Sequence, residues 1–251
     1  LAIDSHPNIE VRMFNPIAIR SLRMLSFVAD FARTNRRMHN KSFIADGQVA
    51  IVGGRNIGNE YFGASDAYNH ADLDLAAQRC AAGGFGYAGQ TCISVQRVFA
   101  HHSIAELFTT KLLMHVARLK AGDPTDESTT IGPVIDSAAA HRIERWIGEA
   151  VAAGARVLLG GNRMGSVVEA TVLSNVKPEM KVSCQEVFGP VITVTPYRQF
   201  SDAIALLNQS DYGLQAGVFT QDVNKIFYAF RHLEVGAVLA NEIPTFRADH
   251  M

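Results

Sequence analysis

Long apolar runs are missing from this chain of 251 residues. None approaches the ~20 residues that a helix needs to cross a bilayer. A dominant charge sign is missing too: 23 Lys and Arg against 24 Asp and Glu leave a formal net charge of −1. Nothing global therefore favours nucleic acid or an anionic membrane surface. Dividing at Asp66 gives 8 basic and 6 acidic residues before the cut and 15 and 18 after it, so neither part is a polybasic tail. Cysteine is scarce. Cys80, Cys92 and Cys184 make an odd count without metal-type spacing, which fits a reducing cytoplasm better than a disulfide framework. The chain opens at Leu1 with neither a Met nor a basic leader, and the expectation is that its true start lies upstream. Internal repeats and low-complexity linkers are absent as well. What remains is 48% hydrophobic and 19% charged, the balance of an ordinary globular protein, with length for one large domain or two modest ones.

Two textures divide the chain. In the first, Ile9–Asn15 reads as a strand and 19–32 as a helix. Lys41–Ala45 and Val49–Val52 read as strands joined at Asp46-Gly47, a hairpin signal, and Gly53-Gly54 closes the section. The character changes between Gly63 and Asp72. Beyond it, 72–82 reads as a helix, and a glycine-rich turn over 83–89 leads to Cys92. Ile93–Ala100 reads as a strand. Ile104, Leu107, Phe108, Leu112, His115, Val116 and Leu119 then share a helix face, which Gly122-Asp123-Pro124 stops. A helix over 137–153 turns Ile143, Ile147, Ala150 and Val151 inward, and Gly154 ends it. Strands at 157–159, 191–194, 216–220 and 237–239 alternate with helices at 202–209 and 223–233. This alternation predicts an α/β fold with a largely parallel sheet and flanking helices.

A thiol at Cys92 follows Gly89-Gln90-Thr91 directly. Glycine there allows positive φ and close backbone approach, which lets the thiol project into a cleft, and the backbone N–H groups of such a turn can donate to a developing oxyanion. A lone cysteine in this setting is more often an inert core residue, and the surrounding pattern reverses that weighting. GGFGYAGQTCISVQRV around Cys92, LKAGDPTDESTTIGPVI at 119–135, QEVFGPV at 185–191, YGLQAGVFT at 212–220 and NEIPTFRADHM at 241–251 resemble, in order, the catalytic domain of the aldehyde dehydrogenase superfamily. The resemblance covers 72–251. It implies that Cys92 attacks an aldehyde carbonyl to form a thiohemiacetal, that NAD or NADP takes the hydride, and that water releases the acid from a thioester. It also implies that Glu186 hydrogen-bonds the nicotinamide ribose and that Phe188 packs beside the nicotinamide. Cys80, placed in a helix, and Cys184 read as small core hydrophobes.

Measured against that family, the expectation is a chain that lacks the upstream Rossmann-like cofactor-binding domain and the C-terminal end. Gly58 stands where the glutamate of the Glu-Leu-Gly-Gly type motif belongs, and Glu60 lies in an unrelated context. Loss of such a base costs about 10²–10⁴ in rate, so the expectation is impaired turnover. The resemblance further implies a small-molecule aldehyde as substrate, homo-oligomer contacts through the catalytic domain, a cytoplasmic location, and neither nucleic acid nor a transmembrane segment.

Earlier in the chain, His39, Lys41, Asp46, Gly53-Gly54 and Asn56 reproduce the pattern H-x-K-x(4)-D-x(6)-G-G-x-N. On a strand His39 and Lys41 share a face, pairing an imidazole nucleophile with an ammonium that holds phosphate oxygens. Together with HPNIEVRMFNP (6–16) and NRRMHNKSFIADG (35–47), the motif resembles the phospholipase D superfamily, in particular its bacterial cardiolipin synthase branch. That resemblance implies phosphatidyl transfer or phosphodiester hydrolysis with His39 as nucleophile or acid/base, Lys41 and Asn56 as phosphate binders and Asp46 as a supporting carboxylate. Only one such motif is present where the family uses two. The expected organisation is a partial phospholipase D-like α/β segment at 1–66, a junction at 67–75 around Ala71-Asp-Leu-Asp-Leu75, and the dehydrogenase catalytic domain at 76–251. On this view the chain is a chimera, which keeps a third possibility open: a catalytically inactive fragment.

Overall fold

The computed structural model describes residues 42–45, 49–52 and 66–246. Two compact units divide the chain, Leu1–Tyr61 and Phe62–Met251. In the first, β1 (Ser42–Ala45) pairs antiparallel with β2 (Val49–Val52), Phe43 opposite Ile51, where the two β-like runs flank Asp46-Gly47. The strand expected at 9–15, the helix at 19–32 and all four motif residues (His39, Lys41, Asp46 and Asn56) lie outside the described residues.

The second unit opens with α1 (Asp66–Phe85). Its last turn contains Gly83 and Gly84, so the glycine-rich turn expected over 83–89 is a correction: only Gly86–Gly89 leave the α-helix, with Tyr87 and Ala88 at φ +53° and +55°. The physical reason is packing. A methyl on Gly84 would sit 2.6 Å from Ile192 Cγ1 and 2.8 Å from the Val95 carbonyl oxygen. Here glycine lets a helix touch a sheet, and it costs the helix about 1 kcal/mol in propensity.

A four-stranded sheet follows in the order β3 (Arg97–His101), β8 (Val191–Tyr197), β7 (Thr171–Ser174), β4 (Arg156–Leu159). β8 lies parallel to β3 and β7, and β4 joins antiparallel. Two of its three pairings are parallel, in keeping with the largely parallel sheet that the alternation predicts, and the β4 edge makes it mixed. β8 opens Val-Ile-Thr-Val, all four buried, as befits a central strand covered on both faces. The strand after Cys92 starts at Arg97 and not at Ile93. β5 (Arg163–Met164) and β6 (Val167–Val168) form a short antiparallel pair.

α2 (Ala105–Val116) buries Phe108, Leu112 and Val116; Ile104 and Leu107, expected on the inner face, are exposed, and the helix ends before Gly122. α3 (Ser137–Ala152) is built as its sequence reads. Asp136 caps it by accepting from the Ala139 N–H at 2.7 Å, a contact worth about 1 kcal/mol. Ala140, Ile143, Ile147 and Ala150 are buried at helical spacing, whereas Val151 is 43% exposed, against expectation. One helical step beyond Ala150 carries it off the buried stripe. α4 (Lys181–Cys184) is a single turn.

The C-terminal part holds α5 (Phe200–Asn208), β9 (Gln215–Val218), α6 (Val223–His232) and β10 (Ala237–Ala240). β9 and β10 pair in parallel, apart from the main sheet, around a small cluster of Ile204, Val218, Ala229 and Leu233. Among the described residues, no helix is long and apolar enough to cross a membrane.

Candidate active site

Cys92 is exposed. It sits in a tight turn closed by the Ser94 N–H donating to the Thr91 carbonyl at 3.0 Å. Two features hold that turn in place. Gly89 has φ +70°, a region costly to side chains, and a methyl there would collide with the Gly189 carbonyl and stand 2.9 Å from Pro190 N. Gln90 reaches across the surface, its Oε1 accepting from the Ile135 N–H at 2.8 Å and its Nε2 donating to the Tyr87 carbonyl at 3.2 Å. The contact at Gly89 brings the cysteine turn against the loop Glu186-Val187-Phe188-Gly189.

A cleft of about 690 Å³ is lined by Cys92, Glu186 and Phe188 together, a size suited to a small ligand. Along the loop the side chains alternate: Glu186 exposed, Val187 1% exposed, Phe188 41% exposed. Phe188 has φ +47°. An aromatic in the left-handed region costs about 1–2 kcal/mol, and strain of this kind collects where a side chain must face a ligand. Among the described residues, the Glu186 carboxylate takes part in no ion pair, and the Cys92 and Ile93 backbone N–H groups meet no acceptor. A thiol, two free donors beside it, a free carboxylate and an outward-facing aromatic thus share one cleft.

The other cysteines differ. Cys80, on α1, is 6% exposed, and burial pushes its thiol up to about 12, so it stays protonated and inert. Cys184 corrects the expectation of a core hydrophobe: it is half-buried, with its Sγ donating to the Glu179 carbonyl at 3.5 Å. At the end of a single helical turn it lacks the neighbours on several sides that a core position needs. Among the described residues, no cluster of three or more His, Cys, Asp or Glu could hold a metal ion.

Sequence reasoning missed the supports. Gln96 donates to the Val182 and Gln185 carbonyls at 3.1 and 2.7 Å and accepts from the Val187 N–H at 2.9 Å. Arg142 donates to the Val187 carbonyl at 2.7 Å, its guanidinium 4.6 Å from the centre of the Trp146 ring. Neither carried a signal, because each acts on the main chain of a segment distant in sequence.

The sequence model described as "Aldehyde dehydrogenase family" matches residues 65–251. A 3-sulfolactaldehyde dehydrogenase of Priestia aryabhattai is 44% identical over 188 residues, 75% of this chain and 39% of the relative. A putative aldehyde-dehydrogenase-like protein of Sinorhizobium fredii is 34% identical over 235 residues, 94% of this chain and 44% of that protein; so wide a match reaches into the N-terminal unit. Among solved structures, aldehyde dehydrogenase 21 of Physcomitrella patens, in complex with the reaction product succinate, superposes with a TM-score of 0.68 at 43% identity, over 71% of this chain and 37% of that one. The NADP-dependent glyceraldehyde-3-phosphate dehydrogenase of Bacillus halodurans, complexed with NADP, gives 0.69 at 38% identity, over 72% and 38%. This chain spans about two fifths of the length of the curated relatives it matches. With a matched model covering about three quarters of its length, the chain belongs to the aldehyde dehydrogenase family.

Proposed function

We propose that this chain carries the catalytic half of an NAD(P)-dependent oxidation of a small aldehyde to its carboxylic acid. The observation behind the reading is the meeting of Cys92 with Glu186 and Phe188 in one cleft, the two loops touching at Gly89 and Gly189. The Cys92 thiolate adds to the carbonyl carbon, and the carbonyl oxygen takes the electron pair as an alkoxide. The free Cys92 and Ile93 N–H groups stand beside the sulfur to donate to that oxygen, a contribution of roughly 3–4 kcal/mol per well-aimed donor. NAD(P)+, when bound, supplies the acceptor for the hydride leaving that carbon, and the acyl group stays on sulfur as a thioester. Water then cleaves the thioester, its oxygen joining the acyl carbon as the C–S bond breaks and its protons going to the acid and the Cys92 thiol. The residues present fit the cofactor: a free, exposed carboxylate at Glu186 suits a ribose diol, and Phe188, strained and facing outward, suits the flat face of a nicotinamide. Incubating small aldehydes with NAD+ or NADP+ and following reduced nicotinamide tests the reading. Acid formation that disappears in Cys92→Ala supports it, and equal formation in both chains sinks it. A homo-oligomer through the catalytic domain and a cytoplasmic location belong to the same proposal.

For residues 1–66 we propose separately a phosphodiester-directed origin, supported by the spacing of His39, Lys41, Asp46 and Asn56 in the sequence. The broad Sinorhizobium match weighs the other way, since it runs through this segment. Cleavage of a bis-aryl phosphodiester that His39→Ala abolishes would support the proposal, and absence of any His39-dependent cleavage would count against it. Sequencing the source DNA across codons 60–80 as one molecule, in independent samples, tests whether the two parts were joined naturally.

A further inference from the structure

We propose that Gln96 is a positioning residue which, with Arg142, fixes the direction in which Glu186 and Phe188 face. The proposal rests on the reading of those two side chains as cofactor-facing. Val187 lies between them and belongs to no strand or helix, yet both its backbone groups are bonded. Its N–H donates to Gln96 Oε1 at 2.9 Å, and its carbonyl accepts from Arg142 Nη2 at 2.7 Å. Two side chains thus stand in for the neighbouring strands that would hold Val187 in a sheet. Its own side chain is buried, while Glu186 before it and Phe188 after it are exposed.

Gln96 carries the larger share. Its amide nitrogen donates to the Val182 and Gln185 carbonyls and its oxygen accepts from Val187, so its side-chain bonds all go to main chain and grip the residues on both sides of Glu186. Its own carbonyl accepts from the Thr193 N–H on β8 at 2.8 Å. The side chain is pinned to the loop and the main chain to the central strand, four positions after Cys92. Immobilising a glutamine costs rotamer entropy, and its bonds to a partly buried loop offset that cost.

The test uses the whole chain as parent, Gln96→Met and Arg142→Met, with Thr193→Val as a control. Thr193→Val alters the buried neighbour whose hydroxyl also donates to the Gln96 carbonyl, at 3.4 Å, and leaves the loop bonds intact. Two quantities are read: deuterium exchange over 182–189, and the NADP+ concentration giving half of its effect on alkylation of Cys92 by iodoacetamide. Loss of three hydrogen bonds should raise that concentration about tenfold or more in Gln96→Met, with a smaller rise in Arg142→Met. Exchange should quicken over 182–189, and alkylation without cofactor should stay near the parent rate. Thr193→Val should match the parent in both. A Gln96→Met chain with the parent's NADP+ dependence, or a Thr193→Val chain impaired equally, would overturn the proposal alone. A parent whose Cys92 alkylation ignores NADP+ would sink the cofactor reading, and the proposal with it.

Discussion

Cys80 and Cys92 lie twelve positions apart on one continuous stretch and have opposite surroundings. Cys80 is inside α1, 6% exposed, its thiol held protonated by desolvation alone. Cys92 is on a turn, exposed, with bare backbone donors beside it. Nothing in the two side chains differs. Glycines line the path between them: Gly83 packs against Ile243 and Val95, Gly84 against Ile192 of β8 and Val95, and Gly89 meets the Gly189 loop.

Removing the Cys92 thiol breaks the contrast most completely. An activated aryl ester acylates a thiol and needs no hydride acceptor, so it reports on Cys92 by itself. Cys92→Ala should lower the ester turnover of this chain by about 10³-fold or more, whereas Cys80→Ala should leave it near the parent value; equal rates in the two variants would show that the wrong cysteine has been assigned. Next in size is Gly89→Ala. It puts a side chain at φ +70° against the Gly189 carbonyl, and we expect a loss of about 2–4 kcal/mol in urea denaturation together with slower Cys92 alkylation. Gly84→Ala should be milder. The gain of about 1 kcal/mol in helix propensity is outweighed by overpacking against Ile192 and Val95, for a net loss of about 1–2 kcal/mol, with α1 still helical by circular dichroism.

The smallest effect concerns Cys80 and pH. Its folded value, about 12, lies above the ordinary 9.0. The folded chain therefore keeps a proton that the unfolded chain releases, and the contribution to stability is whole below pH 9 and falls as pH rises from about 9 toward about 12. The slope approaches about 1.4 kcal/mol per pH unit at most. Denaturation of the parent and of Cys80→Ala between pH 8 and 10.5 should show the parent declining more steeply; parallel curves would mean that Cys80 is more solvated than its surroundings imply.

Much of this arrangement was legible in the sequence. α3, with its Ile143/Ile147 stripe, follows directly from composition and period, and so do β8, α5 and α6, whereas the Asp136 cap emerged only from the structure. Cys92, Glu186 and Phe188 were identified by resemblance, and the fold brings them together. The errors have local causes. Glycine reads as a turn signal, yet Gly83 and Gly84 serve close packing inside a helix. Ile104, Leu107 and Val151 are apolar but lie at the margins of their helices' buried stripes and stay exposed. β5 and β6, two residues each, are too short to show a period, and the antiparallel edge at β4 is set by pairing with β7 that no local pattern encodes. Gln96 and Arg142 escaped notice because a side chain that bonds to distant main chain leaves no periodic trace.

The most direct test of the account is peptide mapping of the folded chain after a limiting dose of iodoacetamide. The account expects label at Cys92 first, a slower trace at half-buried Cys184, and none at Cys80 until denaturant is added. Label at Cys80 as early as at Cys92, or a Cys92 that stays unmodified until the chain unfolds, would contradict it.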